Sequence, residues 1–328
     1  MSTDGAPAPN SLSPRERDCL RLMLSGFDTG AAAASLGISP STLNKHLASV
    51  RRKLGVRRTA QALFLCIREG IGDRAPVMSR ADGAAIEDFA AALEGCAALD
   101  DTFTVLRAYA AKYGVTQITL GVSAEPPGQL TNGARAIAMS YSDDMQRMYD
   151  DMGGALTDPT VPYTVTHTRG LLIDNERLIM AMKRELPKAV MSMGSALLDN
   201  EMRFAFHQPE RDDVTGAPMQ TAFVIDPRAV DAYRDADAPA RSMLRDMSRV
   251  FWDAVQGRGM LREFAGLTPR QAEGLMLAAR GFTVPEAAEH MRVSQRAAEK
   301  ILAAARNRLG ARTTAAAVYR AMVYRALA

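Results

Sequence analysis

The sequence predicts an α+β protein in which a central α-β-α sandwich around an antiparallel sheet lies between two all-α units of four helices each. Two observations predict this division. Both ends carry apolar residues at helical spacing and repeat each other, whereas the middle contains short segments that alternate between apolar and polar residues. The predicted parts are a disordered tail at 1–11, an N-terminal unit at 12–70, a linker at 71–83, a central domain at 84–257, a linker at 258–266 and a C-terminal unit at 267–328.

The first two helices of the N-terminal unit are marked by their end signals. Residues 13–16 form a capping box with proline inside it, and Gly26 ends the helix that follows. A second helix over 28–36 ends at Gly37, which leaves a tight turn before the next helix. Short helices joined by such a turn are typical of a helix-turn-helix motif. A fourth helix is expected to begin near Thr59.

The third helix of this unit has the pattern of a recognition helix. Ser39 is its predicted N-cap, Pro40 suits the first helical position, and Gly55 supplies the left-handed stop. Its apolar face consists of Leu43, Leu47, Val50 and Leu54. The polar residues of the other faces predict DNA contacts. Base edges are assigned to Thr42, Asn44, Lys45 and His46, and phosphates to Arg51, Arg52, Lys53, Arg57 and Arg58.

Residues 12–68 resemble the DNA-binding domain of the LuxR-type transcription regulators. The resemblance rests on 12–16, Leu20, Gly26, 36–39, Thr42, His46 and 52–56. It implies double-stranded DNA as a partner, and we expect a homodimer with RNA polymerase as a further partner. One departure is Asn44, where the family usually carries a basic residue, although asparagine can still pair with adenine.

A second copy of this pattern lies 255 residues downstream, without insertion or deletion. Equivalent positions include Leu12 and Leu267, Gly26 and Gly281, Ser39 and Ser294, Lys45 and Lys300, and Gly55 and Gly310. The C-terminal unit therefore also resembles the LuxR-type domain. Its expected phosphate contacts are Arg296, Lys300, Arg306, Arg308 and Arg312.

The DNA face of the C-terminal unit is poorer than that of the N-terminal unit. Glu299 stands at the position of Asn44, and Ile301 stands at the position of His46. Arg292 replaces the glycine of the turn, and we expect it to adopt a less comfortable backbone conformation. The alternative to DNA contact by this unit is a dimerisation module or an intramolecular docking module.

Charge is segregated along the chain. The net charge of +3 conceals +6 at 12–70 and +6 at 267–328, which leaves −9 for the remainder. Basic ends suit nucleic acid as a partner. No apolar run is long enough to span a membrane and no secretory leader is visible, so we expect a cytoplasmic protein with no membrane partner. Its cysteines, Cys19, Cys66 and Cys96, are interpreted as reduced core residues.

Enzyme and metal-site readings find little support in the sequence. The histidines His46, His167, His207 and His290 are scattered, and no glycine-rich phosphate loop follows a strand. Acid pairs at 143–144 and 150–151 are interpreted as solvated helix faces. The sequence therefore predicts neither a catalytic residue nor a metal ligand.

The central domain is predicted from a mixture of helical and strand-like segments. Helices are expected over 84–96, 101–112, 143–152, 175–191 and 238–256, and strands over 115–122, 135–140, 201–207 and 220–225. Helix pairs around a few antiparallel strands predict the α-β-α sandwich.

Within the central domain, residues 141–149, Gly153 and 158–161 resemble the signal-binding domain of the quorum-sensing LuxR-type regulators. Those proteins bind N-acyl homoserine lactones between the sheet and one helix layer. The resemblance therefore implies a small-molecule signal such as an acyl-homoserine lactone, and no other cofactor. The predicted ligand contacts are Tyr141, Met145, Tyr149 and Asp158. The first three are spaced to line one helical face, and the Asp158 carboxylate can accept an amide N–H.

Met145 departs from the family pattern. The related proteins carry a tryptophan at this position, and its indole N–H donates to the lactone carbonyl, whereas a thioether cannot donate. Three interpretations stay open: a ligand other than the usual lactone, a different way of holding it, or no ligand. In the last case the helix over 143–152 packs its apolar face onto the sheet as a closed core.

Two functions are carried forward from the sequence. The first is a transcription regulator that binds DNA and senses a small molecule or acts without one. The second is a protein-interaction regulator, an anti-activator or scaffold, that pairs with a related regulator and binds DNA weakly. Glu299 and Met145 favour the second function.

Overall fold

The structure is a computed structural model of the 328-residue chain. It describes residues 12–24, 29–57, 59, 62, 83–124, 134–154, 157–158, 160–166, 168, 170–182, 187–235 and 238–327. The predicted tail, most of the linker at 71–83, Cys66, His167 and Arg58 lie outside the described residues.

The N-terminal unit begins with three helices, α1 (Pro14–Leu24), α2 (Thr29–Ser35) and α3 (Pro40–Lys53). The predicted caps are present at both ends of the motif. Ser13 and Glu16 bond reciprocally through the side chain of each and the backbone N–H of the other, and the Ser39 hydroxyl accepts from the Thr42 N–H at 3.1 Å. Thr59 and Ala62 are helical, where the fourth helix was expected.

Among its described residues, the central domain contains five antiparallel strands: β1 (Val115–Ser123), β2 (Ala134–Met139), β3 (Leu171–Asp174), β4 (Phe204–Arg211) and β5 (Pro218–Ile225). They form one sheet in the order β2-β1-β5-β4-β3. The register pairs Thr119 of β1 with Ala222 of β5, and Ala222 with His207 of β4. Strand side chains alternate between faces, so these three residues lie side by side on one face of the sheet.

Helices α4 (Gly83–Glu94), α5 (Leu99–Ala111) and α10 (Pro239–Gly257) cover the opposite face of the sheet. Their core includes Phe223 of β5 and Trp252 of α10, whose indole N–H donates to the Thr221 hydroxyl at 3.1 Å. A short 3-10 helix, Val230–Tyr233, leads from β5 towards α10.

Further helices of the central domain are α6 (Asp143–Asp151), α7 (Val161–Thr166), α8 (Asn175–Met182) and α9 (Lys188–Asp199). Of these, α6 and α9 lie on the face of Thr119, Ala222 and His207, because they pack with Val224, two residues from Ala222 on β5. Met145 and Tyr149 of α6 pack with Met193 and Leu197 of α9 and with Val224 of β5. The architecture is therefore a mixture of helices and an antiparallel sheet, as the sequence predicts.

The C-terminal helices are α11 (Arg262–Ala265), α12 (Pro269–Ala279), α13 (Val284–His290), α14 (Gln295–Arg308) and α15 (Thr314–Val323). Adding 255 to the bounds of α1, α2 and α3 gives the bounds of α12, α13 and α14 without a shift. The caps repeat as well, since the Ser294 hydroxyl accepts from the Ala297 N–H just as Ser39 accepts from Thr42.

The two ends of the chain meet in the folded protein. Helix α1 packs against α15, and both belong to one continuous apolar cluster that also includes the core of the central domain. The segment at 258–266, predicted to be a linker, contains α11 and the buried side chains of Leu261 and Ala265.

Two local predictions were wrong, and one strand was missed. The single helix expected over 175–191 is two helices, since Pro187 lacks the N–H that a helix interior needs and serves as the N-cap of α9. The strand expected over 201–207 begins later because Glu201 adopts a left-handed conformation with φ 62. Strand β3 was not predicted; it is only four residues long and pairs with β4 at the sheet edge.

Candidate functional site

The surface of α3 carries the predicted base-reading residues. Leu43, Leu47 and Val50 are buried beneath the helix, so the remaining faces are turned outward. Asn44 and Lys45 are exposed, while Thr42 and His46 are half-buried. The Thr42 hydroxyl lies 2.8 Å from that of Ser39. The amide of Asn44 and the ammonium of Lys45 are thus the two fully presented groups of this set.

The predicted phosphate contacts divide into exposed residues and residues that also hold the unit together. Arg52 and Arg57 are exposed. Arg51 is half-buried and donates to the Thr59 hydroxyl at 3.0 Å. Lys53 bonds to the Glu16 carboxylate at 2.8 Å, so part of its charge is neutralised within the fold.

Glu16 fixes the position of α3 against α1. Its side chain is about 5% exposed, and burial alone raises its pKa. The hydrogen bonds from Lys53, Ser13 and Ser49 outweigh burial and lower the pKa to about 2. The carboxylate is therefore ionised at neutral pH, and it ties the end of α3 to the start of α1.

The counterpart of α3 in the C-terminal unit, α14, presents a different surface. Arg296, Lys300 and Arg312 are exposed, but so is Glu299, which accepts a bond from the Gln295 side chain at 3.0 Å. The acid thus lies among the bases on the outward surface. A carboxylate here opposes the approach of phosphate.

Two of the arginines assigned to phosphate in the C-terminal unit have structural partners. Arg306 donates to the Thr314 hydroxyl at 3.3 Å, which repeats the bond between Arg51 and Thr59. Arg308 donates to the Gly266 carbonyl at 2.9 Å. It occupies the place of Lys53, but a glutamine replaces Glu16, so the buried ion pair is not repeated.

The turns before α3 and α14 each contain a residue in the left-handed conformation. Gly37 has φ 65, and its counterpart Arg292 has φ 54. The predicted strain at Arg292 is confirmed, because an L side chain in this region raises the backbone energy by about 1–2 kcal/mol.

The four residues predicted to contact a ligand converge in the central domain. Tyr149 donates its hydroxyl to the Asp158 carboxylate at 3.1 Å, and Asp158 also accepts from the backbone N–H and the hydroxyl of Thr160 at 2.9 Å and 2.6 Å. The Thr119 hydroxyl donates to the Tyr141 hydroxyl at 2.5 Å. Asp158 is therefore supplied with donors by the protein itself.

Burial governs the acid–base state of both tyrosines. Burial raises the pKa of Tyr141. Burial and the nearby negative charge of Asp158 both raise the pKa of Tyr149. Both phenols remain protonated at neutral pH, so each keeps an O–H to donate.

Met145 lies on the buried face of α6, next to other methionines. It is 3% exposed and packs with Tyr149, Met193 and Met202. This packing suits a closed core and an adaptable pocket wall equally well, because an unbranched thioether fills irregular space.

Sequence reasoning missed the polar residues that the sheet contributes to the same side. His207 is buried, and neither of its ring nitrogens has a hydrogen-bond partner among the described residues. The side-chain carbonyl oxygens of Gln117 and Gln220 are also buried without a hydrogen-bond partner among the described residues. The alternation of side chains along β4 and β5 is the sequence signal for these residues. It tells which face of the sheet they occupy only once the pairing register of the strands is known.

Within the described residues, no helix is both long and apolar enough to cross a membrane. No group of three or more His, Cys, Asp or Glu side chains is arranged there to hold a metal ion. Cys19 and Cys96 are free thiols.

Comparison with known proteins gives two kinds of match. Residues 10–66 match the family model described as bacterial regulatory proteins, luxR family. Over 60 residues the chain is 37% identical to the transcriptional regulatory protein MctR of Rhizobium johnstonii. That match covers 18% of this chain and 28% of the relative, so it spans little more than a quarter of the relative's length.

Two solved structures resemble the chain more broadly. Escherichia coli SdiA is 12% identical with a TM-score of 0.48, over 75% of this chain and 99% of that one. CepR2 of Burkholderia cenocepacia, described as an N-acylhomoserine lactone dependent LuxR family transcription factor, is 15% identical with a TM-score of 0.39, over 56% and 98%. The family-model match lies over the N-terminal unit, and that unit carries the signature of the luxR family of bacterial regulatory proteins.

Proposed function

We propose that this protein is a DNA-binding transcription regulator of the LuxR type and that α3 is its reading helix. The observation that carries the proposal is the exposed pair Asn44 and Lys45 on a capped helix within the luxR family match. An asparagine amide can pair bidentately with adenine, and a lysine ammonium can bond to guanine. The exposed Arg52 and Arg57 lie near the C-terminal end of the same helix, where they suit phosphates.

The proposal includes a second helix-turn-helix domain at the C-terminus, attached to the α-β-α sandwich. The identical offset of its helix bounds and the repeated N-cap support this part. The exposed Arg296, Lys300 and Arg312 favour a role in holding the DNA backbone. Glu299 argues against base reading, so we assign reading to the N-terminal unit alone.

The full proposal places the regulator in the cytoplasm as a homodimer that works with RNA polymerase and responds to a small molecule. A homodimer is the commonest soluble oligomer, and its two-fold symmetry would suit a symmetric operator. The convergence of Tyr141, Tyr149 and Asp158 beside the sheet supports a ligand site. An acyl-homoserine lactone is the ligand that the family resemblance suggests.

The test first needs an operator. It is obtained by incubating the purified full-length protein with fragments of the host genome and recovering the fragments that bind. We expect Asn44→Ala to weaken operator binding by about 1–3 kcal/mol and to leave binding to random DNA nearly unchanged. Asn307→Ala is the matched control, because Asn307 is an exposed asparagine near the end of the other recognition helix. Equal preference for operator over random DNA in wild type and Asn44→Ala would show that α3 does not read bases here.

The second candidate function is a protein-interaction regulator with little affinity for DNA. Glu299 on the outward face of α14 favours it, and so does Met145, because a thioether cannot donate a hydrogen bond to a lactone. The dependence of affinity on salt separates the two functions. A regulator that holds several phosphates loses affinity steeply as salt rises, whereas a protein-interaction regulator gives weak binding at every salt concentration.

A further inference from the structure

We propose that the site between α6 and the sheet takes a small molecule rich in hydroxyl or amino groups, and that His207 and Gln220 bind it. The inference rests on the proposed ligand site and changes the class of ligand. The buried polar side chains of the sheet predict an occupant that is polar where it faces the sheet.

The first step is the set of polar atoms that lack partners. His207 is 5% exposed, and both of its nitrogens are buried without a hydrogen-bond partner among the described residues. The carbonyl oxygens of the Gln117 and Gln220 side chains are buried in the same way. Native proteins leave few such atoms, since each one costs the protein its desolvation energy.

The second step is that these atoms share one face of the sheet. His207 lies beside Ala222, which lies beside Thr119. Gln220 is two residues from Ala222 on the same strand, and its side chain lies over Gly121, where an added Cβ would come within 2.9 Å of its amide nitrogen. The polar groups of His207, Gln220 and Thr119 thus stand on neighbouring strands of one sheet face, separated by the small residues Ala222 and Gly121.

The third step is that the predicted ligand residues lie on this face too. The Tyr141 hydroxyl bonds to Thr119 in the same cross-strand row as His207. The charge of Asp158 is close enough to His207 to oppose the effect of burial on its pKa, although burial is the larger influence and lowers that pKa. His207 is therefore neutral at pH 7, with one nitrogen that donates and one that accepts.

The last step is a count of donors and acceptors. On this face of the sheet the orphan atoms of the described residues are one donor, the imidazole N–H, and three acceptors: the second imidazole nitrogen and the side-chain oxygens of Gln117 and Gln220. Asp158 already receives three bonds from Tyr149 and Thr160. An acyl-homoserine lactone offers a single N–H donor and an apolar tail, so it leaves most of these acceptors unsatisfied. A compound with several O–H or N–H groups satisfies them.

The test begins with the ligand-free full-length protein, freed of small molecules by extensive dialysis. His207→Leu and Gln220→Met remove orphan polar atoms while keeping most of the volume. We expect each to raise the melting temperature by about 2–4 °C or more, because the polar groups are unsatisfied without ligand. Asn175→Leu is the control, since Asn175 is equally buried but its amide donates to the Met202 carbonyl at 2.7 Å. This control should lower the melting temperature.

The second measurement is mass spectrometry of the small molecules that co-purify with the protein from its native host. We expect a polyhydroxylated or amino compound with wild type and its loss from His207→Leu. A lower melting temperature in both variants, an acyl lactone in the wild-type sample, or the same set of molecules in both samples would overturn the inference. Because neither measurement involves DNA, failure here is distinct from failure of the Asn44→Ala experiment.

Discussion

Arg325 forms a buried ion pair with Asp212, with 2.7 Å between its Nη2 atom and the Oδ1 atom of the carboxylate. The side chains are only 18% and 2% exposed. Asp212 lies in the turn between β4 and β5, and Arg325 follows the last helix, α15. Asp212 also accepts from the Thr215 N–H at 3.0 Å, so its carboxylate is held by both the turn and the C-terminal unit. The pair fastens the C-terminal unit to the central domain.

Replacing Arg325 by methionine should lower the free energy of unfolding by about 3 kcal/mol, because it leaves the Asp212 carboxylate buried without its cation. Urea unfolding monitored by circular dichroism measures the change. Arg228→Met is the control: Arg228 pairs with Asp226 at 2.7 Å but is 91% exposed, so its loss should cost about 0–1 kcal/mol. Equal effects of the two substitutions would contradict a role of the buried pair in fastening the unit.

The ion pair between Glu16 and Lys53 predicts a dependence of stability on pH. Burial raises the pKa of Glu16, but its hydrogen bonds, chiefly that from Lys53, lower it from 4.5 to about 2. A carboxyl whose folded pKa is depressed contributes stability that is present above pH 4.5 and is lost as pH falls towards 2. In Glu16→Gln the free energy of unfolding should therefore change less between pH 4.5 and pH 2 than it does in wild type. Above pH 5 the two curves of unfolding free energy against pH should run parallel.

The measurement is a series of urea unfolding experiments between pH 2 and pH 6. The chain contains its own control at Gln271, which stands at the place of Glu16 in the C-terminal unit and caps α12 without an ion pair. Gln271→Ala should lower stability by the same amount at every pH. A Glu16→Gln curve as steep as that of wild type in the acid range would rule out this ion pair as the source.

Much of the fold of the two terminal units was predictable because its signals are local. A capping box at 13–16, a proline at the start of α3 and glycines at the turns mark the helix ends with side chains that act on the nearest backbone groups. The offset of 255 then transferred each boundary to the C-terminal unit. Local chemistry of this kind needs no knowledge of the tertiary structure.

The buried polar side chains of the sheet, such as that of His207, were not predictable in the same way. His207 looked like one of several scattered histidines, and its burial depends on which residues of β4 and β5 pair. A shift of one residue would turn it to the other face of the sheet. The contact between α1 and α15 likewise joins segments about 300 residues apart, and no periodicity in either helix reports it. Long-range register and docking therefore required the structure.

The left-handed Arg292 predicts a stabilising substitution. Its φ of 54 is strained for an L side chain, and glycine adopts this region without that strain. Arg292→Gly should raise the free energy of unfolding by about 1 kcal/mol. Gly37→Ala is the mirror control: nothing lies within 4 Å of the added Cβ, so it should lower stability by about 1 kcal/mol through conformation alone. If Arg292→Gly destabilises the protein, the contacts of the arginine side chain stabilise the fold by more than its left-handed backbone conformation destabilises it.

The exposed acid on α14 allows a direct test of whether the C-terminal unit contacts DNA. Glu299→Lys replaces an acid beside Arg296 and Lys300 by a base. If this face lies on the phosphates, operator affinity should rise, and the slope of log affinity against log salt should steepen by about one phosphate contact. Fluorescence anisotropy on a labelled operator at several salt concentrations measures both quantities.

Glu273→Lys is the matched control for this substitution. Glu273 is an exposed acid on α12 that pairs with Arg270 at 2.9 Å, so the change in net charge is the same but the position differs. A gain in Glu299→Lys alone would assign α14 to the DNA surface. Equal gains in both variants would reflect net charge only. No gain in either would leave the C-terminal unit as a docking module, which its packing through α15 against α1 and its buried Arg325 anchor already equip it to be.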